Sequence, residues 1–592
     1  MSVSSAASGA AAPVTGRTSR ETHDATVTGK ELLRQAVLGR PRLFAAATVL
    51  MSMHQFGEAL IPVAIGKVVD EAVAGRGDVT DGLGGLLTWI AVLAVLFAVL
   101  SNSYRLGARK LAAVAEWSAH DLRMRLTERV LDARGGAEEG RLPGALTSIA
   151  TSDAQRVGAV ATAVAMAFAQ ITAVLVSAVA LLRVSLPLGL LVLVGAPAML
   201  WLTHLLGRPL ETRSEAEQEE AAAASGVAAD LVAGLRVLKG IGAEQVAVER
   251  YRVPSRRALD ATVRAARARG AYEGAVLLMT GIFLAVIAVA GGKLALDGDI
   301  SIGDLTAAIG LAQFLLSPLS VSAWIGAELA AGRASAGRVA QVLSSPELVG
   351  TGSAEPTGGP NASIGVELRA VRSGTLDGLD LTVEPGEIVG VVARDPADAA
   401  VLLRVLGREI DPDAGTARLG GVLCSDLHPE QVRARVLVAA HDAGLFGGPL
   451  LENIENDVGS DHFTGRVLAA SAADEVIAGL PAGRATILTE RGGNLSGGQR
   501  QRVALARALN LDAPVLVLHD PTTAVDSVTE ARIAAGIRDL RHGRTTVLVT
   551  TSPALLAVTD RVVLLLDGRA TAEGRHPDLV RADPDYRSAV LS

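Results

Sequence analysis

The chain has 592 residues, in which 55 Lys and Arg stand against 62 Asp and Glu, giving a formal charge of −7. Hydrophobic residues make up 49% and charged residues 20% of it, a balance that excludes a disordered or nucleic-acid-binding chain and indicates a membrane protein. The single cysteine, Cys424, excludes an intrachain disulfide framework and a multi-cysteine zinc site.

The first part of the chain alternates apolar stretches with charged ones. Residues 1–29 are rich in Ser, Ala, Gly and Thr and predict a flexible tail, without the apolar core of a signal peptide. Residues 30–345 predict a transmembrane domain, because they contain six apolar stretches long enough to cross a bilayer at about 20 residues each. The stretches are Leu43–Gly66, Gly82–Tyr104, Val157–Leu182, Val184–Gly207, Gly274–Gly292 and Leu305–Ala327.

The segments between these stretches differ in length and charge. The long ones, Arg105–Arg156 and Arg208–Glu273, hold 9 and 11 Lys and Arg, whereas the three short ones together hold 4. Positively charged segments tend to stay in the cytoplasm, so we expect the long segments and both termini there, in a protein of the plasma membrane. The two long segments are rich in Ala, Leu, Glu and Arg, which predicts that the membrane helices continue beyond the bilayer.

The last part of the chain follows a Gly-, Pro- and Ser-rich linker at 346–363. From residue 364 to 592, short β-like runs alternate with helical ones, which predicts an α/β domain with a largely parallel sheet. The clearest strand candidates are Glu387–Val392, Val515–Leu518, Thr545–Val549 and Arg561–Leu566.

The segment Asn494–Arg502 reads NLSGGQRQR. A helix beginning near Gln499 and capped by Ser496 would aim the Ser496 hydroxyl and the amides of Gly497 and Gly498 at an anion such as a γ-phosphate. The plainer alternative is a capped turn without a ligand. The segment resembles the LSGGQ signature of ATP-binding cassette (ABC) transporters. The resemblance implies a six-helix all-α transmembrane domain followed by a cytosolic α/β P-loop ATPase domain.

Other segments extend the resemblance to type IV ABC exporters. Thr523–Asp526 resembles the D-loop, which implies a site role for Asp526. Pro143–Leu146 with Asp153, and Gly234–Lys239, resemble the coupling helices, and Glu490 resembles the acidic residue that meets such a helix, although a solvated surface carboxylate is the alternative. Six spans and one nucleotide-binding domain imply a half-transporter that works as a dimer with shared ATP sites.

The phosphate-binding Walker A loop departs from the family pattern. Pro396 stands at a glycine position and has no N–H to donate, and Asp398 places negative charge where phosphate oxygens would lie. Ala399 replaces the lysine, and Ala400 replaces the hydroxyl that holds Mg²⁺. The altered loop begins at Ala393, directly after the predicted strand that ends at Val392. We therefore expect no tight ATP binding here, although Arg394 is an alternative source of positive charge.

Four further positions of the same site have changed. His519 stands at the Mg²⁺-binding Asp position and Asp520 at the position of the general base Glu. His441 replaces the Q-loop glutamine and Thr551 the switch histidine. His441, His519 and Asp520 allow a metal site as one reading, but no further Cys or His has suitable spacing, so we predict eroded positions and no metal.

The signature and the D-loop keep the family pattern, and the resemblance implies that both serve the ATP site built on the partner's Walker A. We therefore predict a heterodimer in which this chain supplies Ser496, Gly497, Gly498 and Gln499 to ATP and Mg²⁺ bound at the Walker A of a second ABC half-transporter, which has an intact Walker B and switch His. ATPase activity is expected only of the pair. The expected activity is export of an amphipathic small molecule, lipid or peptide, with no nucleic-acid partner. The alternatives are a siderophore importer of the same fold and a regulatory pseudo-ATPase.

His54 and Glu58 lie four residues apart, on one face of the first predicted membrane helix. Ionisable groups at membrane depth often mark a substrate pathway. The alternative is a structural pair that is hydrogen-bonded to a neighbouring helix.

Overall fold

The computed structural model describes residues 27–74, 79–356, 363–441, 444–455 and 461–591. Most of the predicted tail and part of the predicted linker therefore lie outside the described residues. The chain divides into two compact units, the first formed by residues up to Thr127 and Pro143–Ser344, the second by Glu128–Leu142 and Ser345–Ser592.

The first unit is helical. Within the described ranges, six of its helices are long and apolar enough to cross a membrane. Five of the six predicted apolar stretches lie inside one of these helices, whereas Val184–Gly207 begins two residues too early, because α5 ends at Val184 and α6 begins at Leu186. The helices are α1 (Gly29–Leu38), α2 (Pro41–Ala74), α3 (Val79–Val130), α4 (Pro143–Ser148), α5 (Ala154–Val184), α6 (Leu186–Ala233), α7 (Leu235–Gly240), α8 (Glu244–Leu296) and α9 (Ile302–Leu343), with a π-helical turn at Ile149–Asp153.

The membrane helices continue beyond the apolar stretches, as predicted. Helix α3 has 52 residues and α8 has 53, so each is about 80 Å long at 1.5 Å per residue. The short segments α4 and α7 lie where the sequence resembles coupling helices.

Helices α2, α5 and α9 pack together, and α6 packs along α8. The packing of α2 on α9 is close because glycines remove the Cβ atoms at their contact. A Cβ on Gly66 would lie 2.4 Å from the Gly303 carbonyl oxygen, and a Cβ on Gly303 would lie 2.0 Å from the Gly66 oxygen. Beside this contact the Asp70 carboxylate accepts hydrogen bonds from the Ser301 hydroxyl and the Gly303 amide, each at 2.8 Å.

The second unit contains the α/β part of the chain. The strands are β1 (Val366–Ser373), β2 (Leu376–Val383), β3 (Ile388–Ala393), β4 (Ala414–Leu419), β5 (Val422–Leu423), β6 (Val436–Ala439), β7 (Gly448–Pro449), β8 (Ile487–Leu488), β9 (Val515–His519), β10 (Thr545–Val549), β11 (Arg561–Leu566) and β12 (Arg569–Gly574). They form a six-stranded sheet in the order β12-β11-β3-β10-β9-β6 and an antiparallel sheet in the order β2-β1-β4-β5. The helices are α10 (Pro396–Leu406), α11 (Pro429–Arg433), α12 (Asp461–Ala470), α13 (Ala473–Gly479), α14 (Gly497–Asn510), α15 (Ser527–Leu540), α16 (Pro553–Leu556), α17 (His576–Ala582) and α18 (Pro584–Leu591).

The centre of the six-stranded sheet is parallel. Strand β3 pairs in parallel with β10 and β11, and β9 pairs in parallel with β10 and β6. Every residue of β10 is buried, as expected for a strand covered on both faces. The four strands predicted from the sequence correspond to β3, β9, β10 and β11. Because parallel strands end at the same edge, the residues that follow β3, β6, β9 and β10 lie along one edge of the sheet.

The segment Glu128–Leu142 groups with the second unit because hydrogen bonds join it to the residues that follow Ser344. The amides of Leu348 and Val349 donate to the Arg134 carbonyl oxygen at 3.0 and 3.2 Å. The Arg129 guanidinium donates to the carbonyl oxygens of Gly135 at 2.9 Å and Ser345 at 2.8 Å. The Arg134 guanidinium donates to the Asp132 carboxylate, and this bond lowers the pKa of Asp132 from 3.8 to about 2. The boundaries of the two compact units therefore differ from those expected from the sequence, which keep residues 30–345 in one domain.

Candidate nucleotide site

The connection from β3 to α10 occupies the position of the Walker A loop. Only Arg394 and Asp395 separate Ala393, the last residue of β3, from Pro396, the first residue of α10. The Asp395 carboxylate caps the helix by accepting a hydrogen bond from the Ala397 amide at 2.8 Å. Pro396 fits this first helical position because its missing N–H has no partner to lose there. The short connection from β3 to α10 thus ends in a capped helix terminus and does not form an open glycine loop.

Asp398 is only 2% exposed. Its carboxylate accepts a hydrogen bond at 3.0 Å from the amide of Gly568, in the turn between β11 and β12. Ala399 is also buried, at 4% exposure, whereas Ala400 is exposed. Arg394 pairs with Asp585 of α18 at 3.2 Å. The side chain proposed as a substitute for the lysine is therefore engaged elsewhere.

These residues do not fit the triphosphate of ATP. Tight binding needs backbone amides, a lysine and an Mg²⁺-binding hydroxyl around the phosphate oxygens. Here the Ala397 amide donates to the Asp395 carboxylate, and the Asp398 amide donates to the Asp395 carbonyl oxygen at 3.1 Å. The positions of the lysine and the hydroxyl are alanines, and two carboxylates lie beside them: Asp395 at the cap and Asp398 in the first turn of α10.

The other altered positions follow the neighbouring strands along the same edge. His519 ends β9, and its ring lies 5.7 Å from that of His441, between centroids. The His519 Nε2 atom lies 3.8 Å from an Asp520 carboxylate oxygen. Asp520 adopts a left-handed backbone conformation with φ of 43°, and Thr551 is exposed beyond β10. Among the residues that the structure describes, no three His, Cys, Asp or Glu form a group that could hold a metal.

The signature segment forms the N-terminus of α14. The helix begins at Gly497, two residues before the predicted start, because Ser496 and Gln499 form a capping box. The Gln499 amide donates to the Ser496 hydroxyl oxygen at 3.3 Å, and the Ser496 amide donates to the Gln499 side-chain oxygen at 2.8 Å. Ser496 and Gly497 are exposed, so the positive end of the helix faces outward.

The D-loop is fixed to this helix. The Gln501 side chain donates to the Thr523 hydroxyl at 2.6 Å and accepts from the Ala524 amide at 2.8 Å. Gly498 allows the close approach, because a Cβ there would lie 2.5 Å from the Ala524 carbonyl oxygen. Sequence reasoning missed Gln501, although its place within the signature segment was the available signal.

Asp526 is the last residue of the D-loop segment and caps α15 by accepting a hydrogen bond from the Thr529 amide at 3.0 Å. This amide holds the pKa of Asp526 below its ordinary value. A cavity of about 560 Å³ lies beside the signature and D-loop, with His441, Arg491 and Arg500 in its wall. Its two arginines make this side of the domain attractive to an anion.

Glu490 is exposed immediately before Arg491, which has a left-handed φ of 55°. The coupling role of Glu490 stays a prediction. In the first unit, His54 contacts α3: its Nδ1 atom lies 3.2 Å from the Leu100 carbonyl oxygen, and its ring lies 5.1 Å from that of Tyr104. The His54 Nε2 atom is 3.6 Å from the Glu58 carboxylate. These contacts favour the structural pair over the substrate pathway.

Comparisons with known proteins match both parts of the chain. The family model for the ABC transporter transmembrane region matches residues 44–319, and that for the ABC transporter domain matches residues 376–523. The chain is 24% identical to a bacterial Atm1-family ABC exporter solved with ATP bound, with a TM-score of 0.72 over 95% of this chain and 99% of that one.

Two relatives illustrate the range of similar proteins. An ATP-dependent lipid A-core flippase of Cupriavidus pinatubonensis is 26% identical over 95% of this chain and 96% of its own length. A multidrug efflux ATP-binding/permease protein of Mycobacterium tuberculosis is 29% identical over 90% of this chain, which spans 44% of that relative.

The six-span helical domain and the nucleotide-binding domain with its α/β sheets thus define a membrane transporter of the ABC exporter fold. The chain belongs to the ABC transporter family and is one exporter half.

Proposed function

We propose that this chain is the non-hydrolytic half of a heterodimeric ABC exporter. The observation that carries the proposal is a contrast between two surfaces of one domain. The phosphate side is closed by the Asp395 cap and the buried Asp398 carboxylate. The signature side keeps a capped, outward-facing helix terminus at Ser496. A homodimer would combine two closed phosphate sides, so a partner with an intact Walker A, Walker B and switch His is required.

In this proposal the residues of the signature act on ATP and Mg²⁺ that the partner's Walker A holds. The first amides of α14, from Gly497 and Gly498, have no acceptor within their own helix and point toward an anion. The Ser496 oxygen accepts the Gln499 amide, which leaves its O–H free to donate to a phosphate oxygen. Asp526 holds the D-loop in place by capping α15, and Gln499 holds Ser496.

The proposed cargo is an amphipathic compound moved out of the cytoplasm. The exporter fold supports this, as do relatives named for lipid A-core and multidrug transport. We further propose cytoplasmic termini in the plasma membrane, with a transmembrane domain at 30–345, a linker at 346–363 and a nucleotide-binding domain at 364–592. Glu490 is proposed to couple the two domains.

The test is co-purification of the chain with its partner from the native host, followed by nucleotide counting and an ATPase assay. We expect one intact partner and one hydrolysable ATP per complex. A Ser496→Ala variant should lower ATP turnover of the pair by about tenfold to 100-fold, the effect of losing one charge-assisted hydrogen bond. Steady ATP turnover by this chain alone, or two equivalent sites, would contradict the proposal. The direction of substrate flux in vesicles of known orientation distinguishes export from siderophore uptake. A complex of the chain and its partner that transports no substrate would be regulatory.

A further inference from the structure

A groove on the first unit combines an apolar wall with positive charge at one end. It has a volume of about 620 Å³ and lies among α2, α5 and α9. Its apolar wall includes Phe56 and Leu60 of α2 and Leu175 and Val179 of α5. Phe56, Leu175 and Val179 are 47%, 61% and 54% exposed, so large apolar side chains face the groove without being covered.

The charged end of the groove is formed by Lys67, Arg183 and Asp304. The Lys67 ammonium is paired with carboxylates, lying 3.3 Å from Asp70 and 3.5 Å from Asp304. Arg183 is exposed in the last turn of α5 and has no hydrogen-bond or ion-pair partner among the described residues. The groove therefore carries one uncompensated guanidinium beside an apolar wall.

The length of the groove matches one leaflet of a bilayer. Phe56 and Lys67 are eleven positions apart on α2, which corresponds to about 16 Å of helix. Half of the hydrocarbon core of a bilayer is about 15 Å thick. An acyl chain lying along Phe56 and Val179 would thus place its headgroup at the level of Arg183.

We propose that this groove binds an anionic membrane lipid, whose acyl chains lie on the apolar wall and whose phosphate pairs with Arg183. A guanidinium suits phosphate because it donates two parallel hydrogen bonds. The proposal rests on the groove alone and does not depend on the partner or on ATP hydrolysis.

The experiment uses the full-length chain in nanodiscs, with a fluorophore on a Val179→Cys substitution in the groove. Cys424 interferes little with labelling, because burial raises the pKa of its thiol to about 11 and keeps it protonated at neutral pH. Quenching by doxyl-labelled phosphatidylglycerol is compared with quenching by doxyl-labelled phosphatidylcholine at equal mole fraction. The ratio of the two measures selection for the anionic headgroup at the groove.

We expect phosphatidylglycerol to be favoured by about tenfold, the effect of one charge-assisted hydrogen bond. Arg183→Gln should bring the ratio close to one while quenching by phosphatidylcholine persists, and Arg183→Lys should keep most of the selection. Lys293→Gln is the matched control, because Lys293 is an exposed cation near the end of α8 and outside the groove.

Three outcomes would overturn the proposal. Equal quenching by both lipids would show an apolar surface without headgroup recognition. An equal loss of selection in Arg183→Gln and Lys293→Gln would show a general surface charge effect. Weak quenching by both lipids, with crosslinking of the residue at 179 to a second copy of this chain, would show that a protein helix covers the groove.

Discussion

The Asp398 carboxylate accepts a hydrogen bond from the Gly568 amide at 3.0 Å, across 170 residues of chain. Gly568 has a φ of 72°, and a Cβ there would lie 2.1 Å from the Thr375 carbonyl oxygen, so this position of the turn requires glycine. Asp398 is thus a structural link between α10 and the β11–β12 turn.

The link predicts a local loss of protection when the carboxylate is removed. Asp398→Ala leaves the buried Gly568 amide without an acceptor, which costs about 1 to 3 kcal/mol. Hydrogen–deuterium exchange of residues 561–574 in the full-length chain should become about tenfold faster or more. Asp398→Asn keeps an acceptor oxygen and should show a smaller effect. Unchanged exchange in Asp398→Ala would mean that the contact contributes nothing to local stability.

Restoring the Walker A residues together should restore nucleotide binding. The combined substitutions Pro396→Gly, Asp398→Gly, Ala399→Lys and Ala400→Thr supply two or three charge-assisted bonds, so the affinity for a fluorescent ATP analogue should rise by at least about 100-fold. Turnover should remain absent because His519 still stands at the Mg²⁺-binding position.

Two controls accompany this restoration. The same combination with Gln in place of Lys at 399 should bind weakly, because the positive charge is missing. Ala399→Lys alone should also bind weakly, because α10 still begins at Pro396 and Asp398 still occupies the site. Equal binding by Ala399→Lys alone and by the full combination would refute the view that the capped helix closes the site.

Much of the fold is predictable from the sequence because its signals are local. An apolar run of membrane length and a buried run such as Thr545–Val549 each depend only on their own residues. The positions of Ala393, His519 and Thr551 along one sheet edge also follow from the parallel order of their strands.

The remaining features depend on partners far away in the chain or on a choice between competing local preferences. No sequence feature near Asp398 indicates that its carboxylate accepts a hydrogen bond from the Gly568 amide. The early start of α14 at Gly497 runs against the low helix propensity of glycine, and the capping box of Ser496 and Gln499 outweighs it.

The two signature glycines should respond differently to the same substitution. A Cβ on Gly498 would lie 2.5 Å from the Ala524 carbonyl oxygen, whereas a Cβ on Gly497 would lie 3.6 Å from the Ala524 side chain, an ordinary contact. Gly498→Ala should therefore displace the D-loop and destabilise the chain by about 1 to 3 kcal/mol, and Gly497→Ala should not.

For the two glycine variants, the functional measurement is ATP turnover of the complex with the partner. If the helix terminus contacts the partner's nucleotide, both variants should lower turnover of the complex, although only Gly498→Ala lowers the unfolding temperature. Normal turnover in Gly497→Ala would argue against a role of this terminus in hydrolysis.

Stability should depend on pH through His576. Burial lowers the pKa of His576 below its ordinary value of 6.5, and its Nδ1 atom lies 2.8 Å from the Tyr586 hydroxyl. As the pH falls below about 6.5, the unfolded chain binds a proton first, so the free energy of unfolding decreases until the folded histidine also titrates. His576→Gln should remove this part of the decrease between pH 7.5 and 5. His542→Gln, at an exposed histidine, is the matched control.

The contact of α2 with α9 should tolerate no side chain. Gly66→Ala places a Cβ within 2.4 Å of the Gly303 carbonyl oxygen, and relief of this overlap separates Asp70 from the Ser301 hydroxyl and the Gly303 amide. Overpacking of this kind costs about 1 to 3 kcal/mol, so the unfolding temperature of the detergent-solubilised chain should fall by several degrees. Gly292→Ala is the matched control, since a Cβ there meets no atom within 4 Å. Equal unfolding temperatures for the two variants would mean that the helices separate at this point without cost.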